Sequence, residues 1–237
     1  MGSVHAVRSR IVEGTGSLGQ RRRTRRWDWV RDTFPEISSM SVIDLGGTTE
    51  AWLRAPIRPA FVHVVNLEPS REPPASWIRA DQADACDLPT HISDGKYDLV
   101  YSNSVIEHVG GHSNRMRFAE SVHKLAERYW VQTPYRYFPI EPHWLFPGFQ
   151  FLPLNVRAEL SRRWPLVHTP SQSWEDGLRA AMSVELLSRT GMTFYFPDST
   201  LRTERMAGLI KSLIAIKSLW RWQAFRLLCR LSDGRSR

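Results

Sequence analysis

At 237 residues and 42 % hydrophobic content, the chain has the size of one domain with a core of its own, well above the range where disulfides or metals must replace a core. Its formal charge of +8 belongs to its ends, because residues 1–26 carry seven Arg and one Glu and residues 217–237 carry one Lys, five Arg and one Asp. The stretch between them is net acidic, which argues against a nucleic-acid-binding face spread across the working domain. No apolar run approaches the roughly 20 residues of a spanning helix, and the Arg-rich N-terminus lacks the apolar segment of a signal peptide. Cys86 and Cys229 stand far apart without metal-ligand spacing, so they read as reduced thiols of a cytoplasmic protein, and no metal site is predicted.

In chain order, residues 1–20 lack sustained periodicity and predict a loose arm. Residues 22–34 then predict a helix, with Trp27, Val30 and Phe34 on one face and Pro35 ending the run. From Ser41 the pattern turns to strands, SVIDLGG first, FVHVVNLE second, a short segment near SWIRADQADA third, and YDLVYSNS fourth. Met116, Phe118, Val122 and Leu125 have helical spacing, and ERYWVQTP reads as a fifth strand. Strands at this rhythm predict an α/β fold, a Rossmann-like seven-stranded, mostly parallel sheet with helices on both faces. The aromatic, Pro-rich stretch YRYFPIEPHWLFPGFQFLPL predicts a compact ordered loop. Two helices follow, the second running through SWEDGLRAAMSVELLSRTG and stopped by Gly191. STLRTERM and KSLIAIK predict a C-terminal antiparallel hairpin around an Ala-Gly turn. The domain reading is a basic arm and helix over 1–40, the catalytic domain over 41–217, and a basic amphipathic helix with its tail over 218–237.

Ligands of an open parallel sheet bind at the carboxyl ends of its strands, near the topological switch point. Asp44, Gly46, Gly47 and Thr48 lie at the end of the first strand, where glycines let backbone N–H groups approach a ligand closely. Asn66 and Glu68 end the second, and an acid there can accept from both hydroxyls of a ribose. Asp84 and Ala85 follow the third, where a carboxylate can accept from an adenine amino group. Ser102 and Asn103 end the fourth, in SNSVIEHV.

Together and in this order, VIDLGG, VVNLEPS, DACDLP and YDLVYSNSVIEHV resemble the class I S-adenosylmethionine-dependent methyltransferases. Within them the chain is similar to the type 11 group related to the ubiquinone and menaquinone biosynthesis methyltransferases, over residues 41–143. The resemblance implies S-adenosyl-L-methionine as cofactor, held by Asp44, Gly46, Gly47, Thr48, Asn66, Glu68, Asp84, Ala85, Ser102 and Asn103. Two departures stand out. The three alternating glycines usual in the first turn are replaced by adjacent Gly46 and Gly47 followed by Thr48, which can still donate to the methionine carboxylate. The ribose position falls on Asn66 in one alignment and on Glu68 in another, with the charge favouring Glu68.

Methyl transfer to a hydroxyl needs two groups held in line and one proton removed, for which histidine is the natural base. His108 follows Glu107 at the place where the family lines the junction of cofactor and acceptor, although the EHV triplet also occurs in members with other chemistry. His143, in IEPHW with Glu141 and Tyr135 nearby, lies on the same rim. His63 and His123 read as ordinary strand and helix residues. The aromatic wall around Tyr137, Phe138, Trp144 and Phe146 suits a sugar ring or an apolar aglycone, or packs the loop onto the core. In the C-terminal helix, Leu219, Trp222, Phe225 and Leu228 form a stripe flanked by Arg221, Arg226 and Arg230. Such a helix lies on the inner face of an anionic membrane, or packs on the domain or on a second subunit of a homodimer. The expected activity is O-methylation of a small-molecule, glycan or glycolipid, or polyketide-like acceptor. The rivals are an RNA methyltransferase, disfavoured by SNSV standing where amino-nitrogen enzymes carry an NPPY-like tetrapeptide, and an inactive cofactor-binding regulator or scaffold.

Overall fold

The computed structural model describes residues 18–70, 75–167 and 169–218. Helix α1 (Leu18–Thr33) leads into the sheet. Strands β1 (Ser41–Leu45), β2 (Phe61–Asn66) and β3 (Ile78–Gln82) follow, with the short helix α2 (Thr49–Leu53) between the first two. One turn of helix, α3 (Thr90–Ser93), precedes β4 (Leu99–Asn103), and α4 (Gly111–Leu125) precedes β5 (Tyr129–Pro134). The excursion after β5 holds a two-stranded ribbon, β6 (Ile140–Glu141) with β7 (Phe146–Pro147), and the helices α5 (Leu154–Arg163) and α6 (Trp174–Met182). Helix α7 (Arg189–Tyr195) and the hairpin β8 (Thr200–Met206) with β9 (Leu209–Lys217) complete it.

The seven strands are ordered β3-β2-β1-β4-β5-β9-β8. The pairs from β3 to β5 are parallel, and β9 runs antiparallel to both β5 and β8. The chain steps outward from β1 to β3 and returns to β4, so the strand order reverses between β1 and β4. That reversal opens a crevice at their carboxyl ends, the place a ligand takes in such sheets.

Both faces of the sheet are buried, as near-continuous apolar strands require. Val42, Val62, Val64, Leu99, Tyr101 and Trp130 pack under α1 and α2 with Val30, Phe34 and Trp52. Ile43, Leu45, Val65, Val100, Tyr129 and Val131 pack on the opposite face with Phe118, Val122 and Leu125 of α4 and Met192 and Tyr195 of α7. Each fully buried aliphatic or Phe side chain stabilises the fold by about 1.5–3 kcal/mol. The expected face of the first helix is therefore the observed one. Trp27 stacks on Tyr101 at a centroid distance of 5.2 Å. Arg26, on the same helix, reaches Glu204 of β8 at 3.1 Å, Asn103 of β4 at 2.8 Å and Gln132 of β5 at 3.3 Å.

One expected element is corrected. The helix read through Gly191 is two helices, α6 ending at Met182 and α7 beginning at Arg189. Gly191 lies inside α7, where its N–H donates to the Ser188 hydroxyl that caps the helix, 3.1 Å away. A serine cap that starts a helix has outweighed a glycine expected to stop one. The hairpin turn is Ala207-Gly208, both with positive φ (48° and 79°), which matches the two-residue turn whose twist suits antiparallel strands. Residues 1–17 and the C-terminal helix expected after Ser218 lie outside the described residues. Among the described residues no helix is long and apolar enough to cross a membrane.

Candidate active site

The β1 turn is built around missing side chains. Gly46 has φ 84°, and a Cβ placed on it would lie 2.4 Å from a methyl of Val105; one on Gly47 would lie 1.7 Å from the Asp44 carboxylate. Asn66 braces the turn, its amide donating to the carbonyls of Gly46 (3.1 Å) and Gly47 (2.8 Å). Its Oδ1 accepts from the Glu68 backbone N–H at 3.1 Å. The strand β2 ends at Asn66, so Glu68 does not close it but stands on an exposed turn beyond. Asp44 is buried beneath the turn and accepts from the Trp52 indole at 2.7 Å. Burial pushes its carboxyl up to about 7, against the lowering effect of that indole bond.

Beside this turn an open cleft of about 720 Å³ is lined by Gly46, Leu67, Asp84, Ala85, Val105 and His108, among others. Leu67 is 66 % exposed, a large apolar side chain turned into the cleft rather than the core. Asp84 accepts from the Cys86 N–H at 2.8 Å, which fixes its carboxylate at the rim. Flat apolar surfaces from Leu67, Ala85 and Val105, with a carboxylate at one edge and bare backbone at the other, match an adenosine carrying a polar tail. The residues present fit S-adenosyl-L-methionine.

Other expected ligands are placed differently. Ser102 is fully buried and donates to the Leu45 carbonyl at 2.8 Å, and Asn103 accepts from Arg26. Thr48 caps α2 by accepting from the Ala51 N–H at 3.2 Å. With Gly47, Asn66, Glu68 and Ser70 it lines a second concavity of about 710 Å³ on the far side of Asn66. Cys86 is buried, its thiol donating to the Asn114 carbonyl and pushed up to about 12 by burial, while Cys229 lies outside the described residues.

The two candidate bases, 35 residues apart in sequence, meet. His143 Nε2 lies 3.1 Å from His108 Nε2, the rings edge-to-face. Glu141, 1 % exposed, organises this meeting: one oxygen accepts from His143 Nδ1 at 2.6 Å and the other from the backbone N–H groups of His143 (2.7 Å) and Trp144 (2.9 Å). Tyr135 packs against Tyr137 instead. Partial desolvation and the neighbouring His143 hold the His108 pKa below the ordinary value. Glu107 is fully buried behind them. Its Oε2 accepts from the Thr133 hydroxyl at 2.8 Å, its Oε1 has no partner among the described residues, and burial pushes its carboxyl up to about 7. Ser104, between β4 and this cluster, has φ 59°, a strained value for a residue with a Cβ.

The aromatic stretch divides. Phe138, Trp144 and Phe149 are buried and Trp144 stacks on Phe149 at 4.0 Å, so they pack the excursion. Phe146 sits edge-on to Trp164 at 4.9 Å, and Tyr137 stays 58 % exposed, stacked on the exposed Phe151. Sequence reasoning missed Leu67 and Ser104, which line the cleft, and Glu107, buried behind its rim. The position of Leu67 just past the second strand was the available signal; nothing in the sequence signals the backbone of Ser104.

Strand order, switch-point cleft and glycine turn together define a Rossmann-like methyltransferase fold. A family model described as a methyltransferase domain matches residues 19–138, half of the chain, and the chain belongs to that family. It is an S-adenosyl-L-methionine-dependent methyltransferase. No curated protein sequence matches it significantly. Among solved structures it is similar to an S-adenosylmethionine-dependent methyltransferase from Mesorhizobium loti, at 14 % identity and a TM-score of 0.50 over 81 % of this chain and 96 % of that one. It is also similar to the N-methyltransferase NodS from Bradyrhizobium japonicum with S-adenosyl-L-homocysteine (13 %, TM-score 0.48, 84 % and 87 % covered). The N-terminal domain of EvdMO1 with S-adenosyl-L-homocysteine and D-fucose matches at 14 % and a TM-score of 0.48, over 83 % and 82 % of the two chains. At such identities the likeness is one of fold.

Proposed function

We propose that this methyltransferase acts on a hydroxyl of a small-molecule, glycan or glycolipid, or polyketide-like acceptor, with His143 taking the hydroxyl proton. The observation that carries this reading is the Glu141–His143–His108 array at the rim of the cleft. S-adenosyl-L-methionine supplies the methyl group as an electrophile on sulfonium sulfur. The chain then has to hold the acceptor in line and remove its proton. Glu141 accepts a hydrogen bond from Nδ1–H of His143, which leaves Nε2, beside His108, as the lone pair and stabilises the imidazolium once a proton arrives. His108 lines the cofactor cleft and touches His143, so it joins the two halves of the site. The exposed Tyr137–Phe151 pair offers a flat surface to a sugar ring or an apolar aglycone.

The cofactor residues proposed on this geometry are Gly46, Gly47, Asn66, Asp84 and Ala85, with Leu67 and Val105 against the base. Replacing His143 by Ala lowers turnover by about 100-fold or more and leaves S-adenosyl-L-methionine affinity unchanged. Methyl transfer to extracts with labelled cofactor, alongside calorimetry, checks both. Full turnover in that variant removes His143 from the mechanism.

A further inference from the structure

Behind the rim, a carboxylate oxygen of Glu107 and one ring nitrogen each of His108 and His143 lie within 4.8 Å of one another. We propose that this cluster binds one divalent transition-metal ion. The inference rests on the location of the site at the cleft rim, not on the acceptor chemistry proposed above.

Three observations carry it. First, the two histidines bring their Nε2 atoms to within 3.1 Å of each other from edge-to-face rings. Two nitrogens bound at right angles to an ion at about 2.1 Å each stand about 3.0 Å apart, whereas a tetrahedral pair stands about 3.4 Å apart. The observed separation is that of neighbouring ligands on an octahedral ion. Second, Glu107 is fully buried with Oε1 unpartnered among the described residues, a carboxylate oxygen that needs a proton or a cation. A hydrogen bond between the two imidazoles does nothing for that oxygen; an ion seated between them and Glu107 serves all three. Third, each of two outer partners is in place. Glu141 accepts from Nδ1 of His143, and Thr133 donates to the other oxygen of Glu107. A carboxylate behind Nδ1 is the backing that metal-ligating imidazoles take.

Closing on one ion draws the three ligand atoms in from their present spread of up to 4.8 Å. Two imidazoles and one carboxylate favour a borderline ion such as Fe²⁺ or Zn²⁺ over Mg²⁺ or Ca²⁺, and Mn²⁺, which accepts octahedral nitrogen and oxygen ligands, serves as the probe. Three ligands on one side leave positions toward the cleft that His108 lines. A hydroxyl bound there is acidified by the ion, and its proton leaves to water. The ion and the proton thus compete for one lone pair of His143. Without the ion the imidazole accepts the acceptor proton; with it the imidazole is a ligand.

The test is Mn²⁺ alone, titrated into chelator-stripped protein and followed by loss of the free-ion electron paramagnetic resonance signal. One ion per chain is expected. Glu107→Gln and His143→Ala each abolish binding, Glu141→Gln weakens it about 10–100-fold, and His91→Ala, an exposed residue away from the cluster, leaves it intact. His143 is half-exposed, so its variant keeps the fold even if loss of Glu107 does not. No loss of signal, or a loss unaltered in the His143 variant, overturns the inference. Calorimetry with S-adenosyl-L-methionine on the same samples separates the failures: cofactor binding without Mn²⁺ binding sinks the ion and leaves the transferase standing.

Discussion

At the scale of single residues, the β1 turn is where side chains are excluded and the rim of the cleft is where they converge. Gly46 faces the Val105 methyls too closely for any Cβ and adopts φ 84°. Gly46→Ala therefore both strains the backbone and collides with the cleft wall. Its expected outcome is loss of measurable S-adenosyl-L-methionine binding by calorimetry, with the melting temperature lowered by a few degrees. Asp44 gives a pH signature. Its carboxyl titrates near 7 in the folded protein and at an ordinary 3.8 when unfolded. Between those values the unfolded chain has released a proton that the folded chain still holds, so this group's contribution to stability falls as pH rises from about 4 to 7 and is level above. Asp44→Asn removes that slope: thermal melts of the variant gain on the wild type as pH rises through this window, and parallel curves would refute the assignment. The residue types of this half were legible because each needs a particular chemistry at a strand end. Their hydrogen-bond partners were less so. Asn66 braces the glycine turn, Ser102 ties two strands, and Thr48 caps a helix, because a short polar side chain near a strand end meets backbone groups before it meets a ligand.

Elements were read best where periodicity is long. The five parallel strands and α4 follow from apolar runs and helical spacing, and the closing hairpin from its turn. The break between α6 and α7 was not legible, since residues 183–187 keep apolar spacing while Glu185 donates its N–H to the Glu107 carbonyl at 2.9 Å. A tertiary contact, absent from local sequence, ends the helix there. The pairing of α5 with α6 rests on Gly177, where a Cβ would lie 2.6 Å from the Ala158 carbonyl. Gly177→Ala gains helix propensity of about 1 kcal/mol but forces the helices apart. A net loss of stability in chemical denaturation is expected, and a net gain would show that the helices yield freely.

Across the whole molecule, Arg26 links α1 to β4, β5 and the distant β8, pairing with Glu204 while both side chains are about nine-tenths buried or more (11 % and 4 % exposed). No sequence signal connects residues 178 positions apart. Removing one partner of a buried pair strands the other, at a cost of about 3–5 kcal/mol. Arg26→Ala is expected to unfold at markedly lower denaturant, and Arg26→Ala with Glu204→Gln to recover part of that loss; additive losses would contradict a direct pairing.

The antiparallel insertion of β9 decides how this enzyme can be tethered. Lys217 pairs with Tyr129 at the start of β5, whereas Ser212 pairs with Pro134 at its end, so the chain leaves the sheet at the pole opposite the crevice. A surface, a resin or a fused protein joined at residue 218 itself is attached on the blind side. Immobilised through residue 218 itself, the molecule presents its cleft outward to dissolved acceptors.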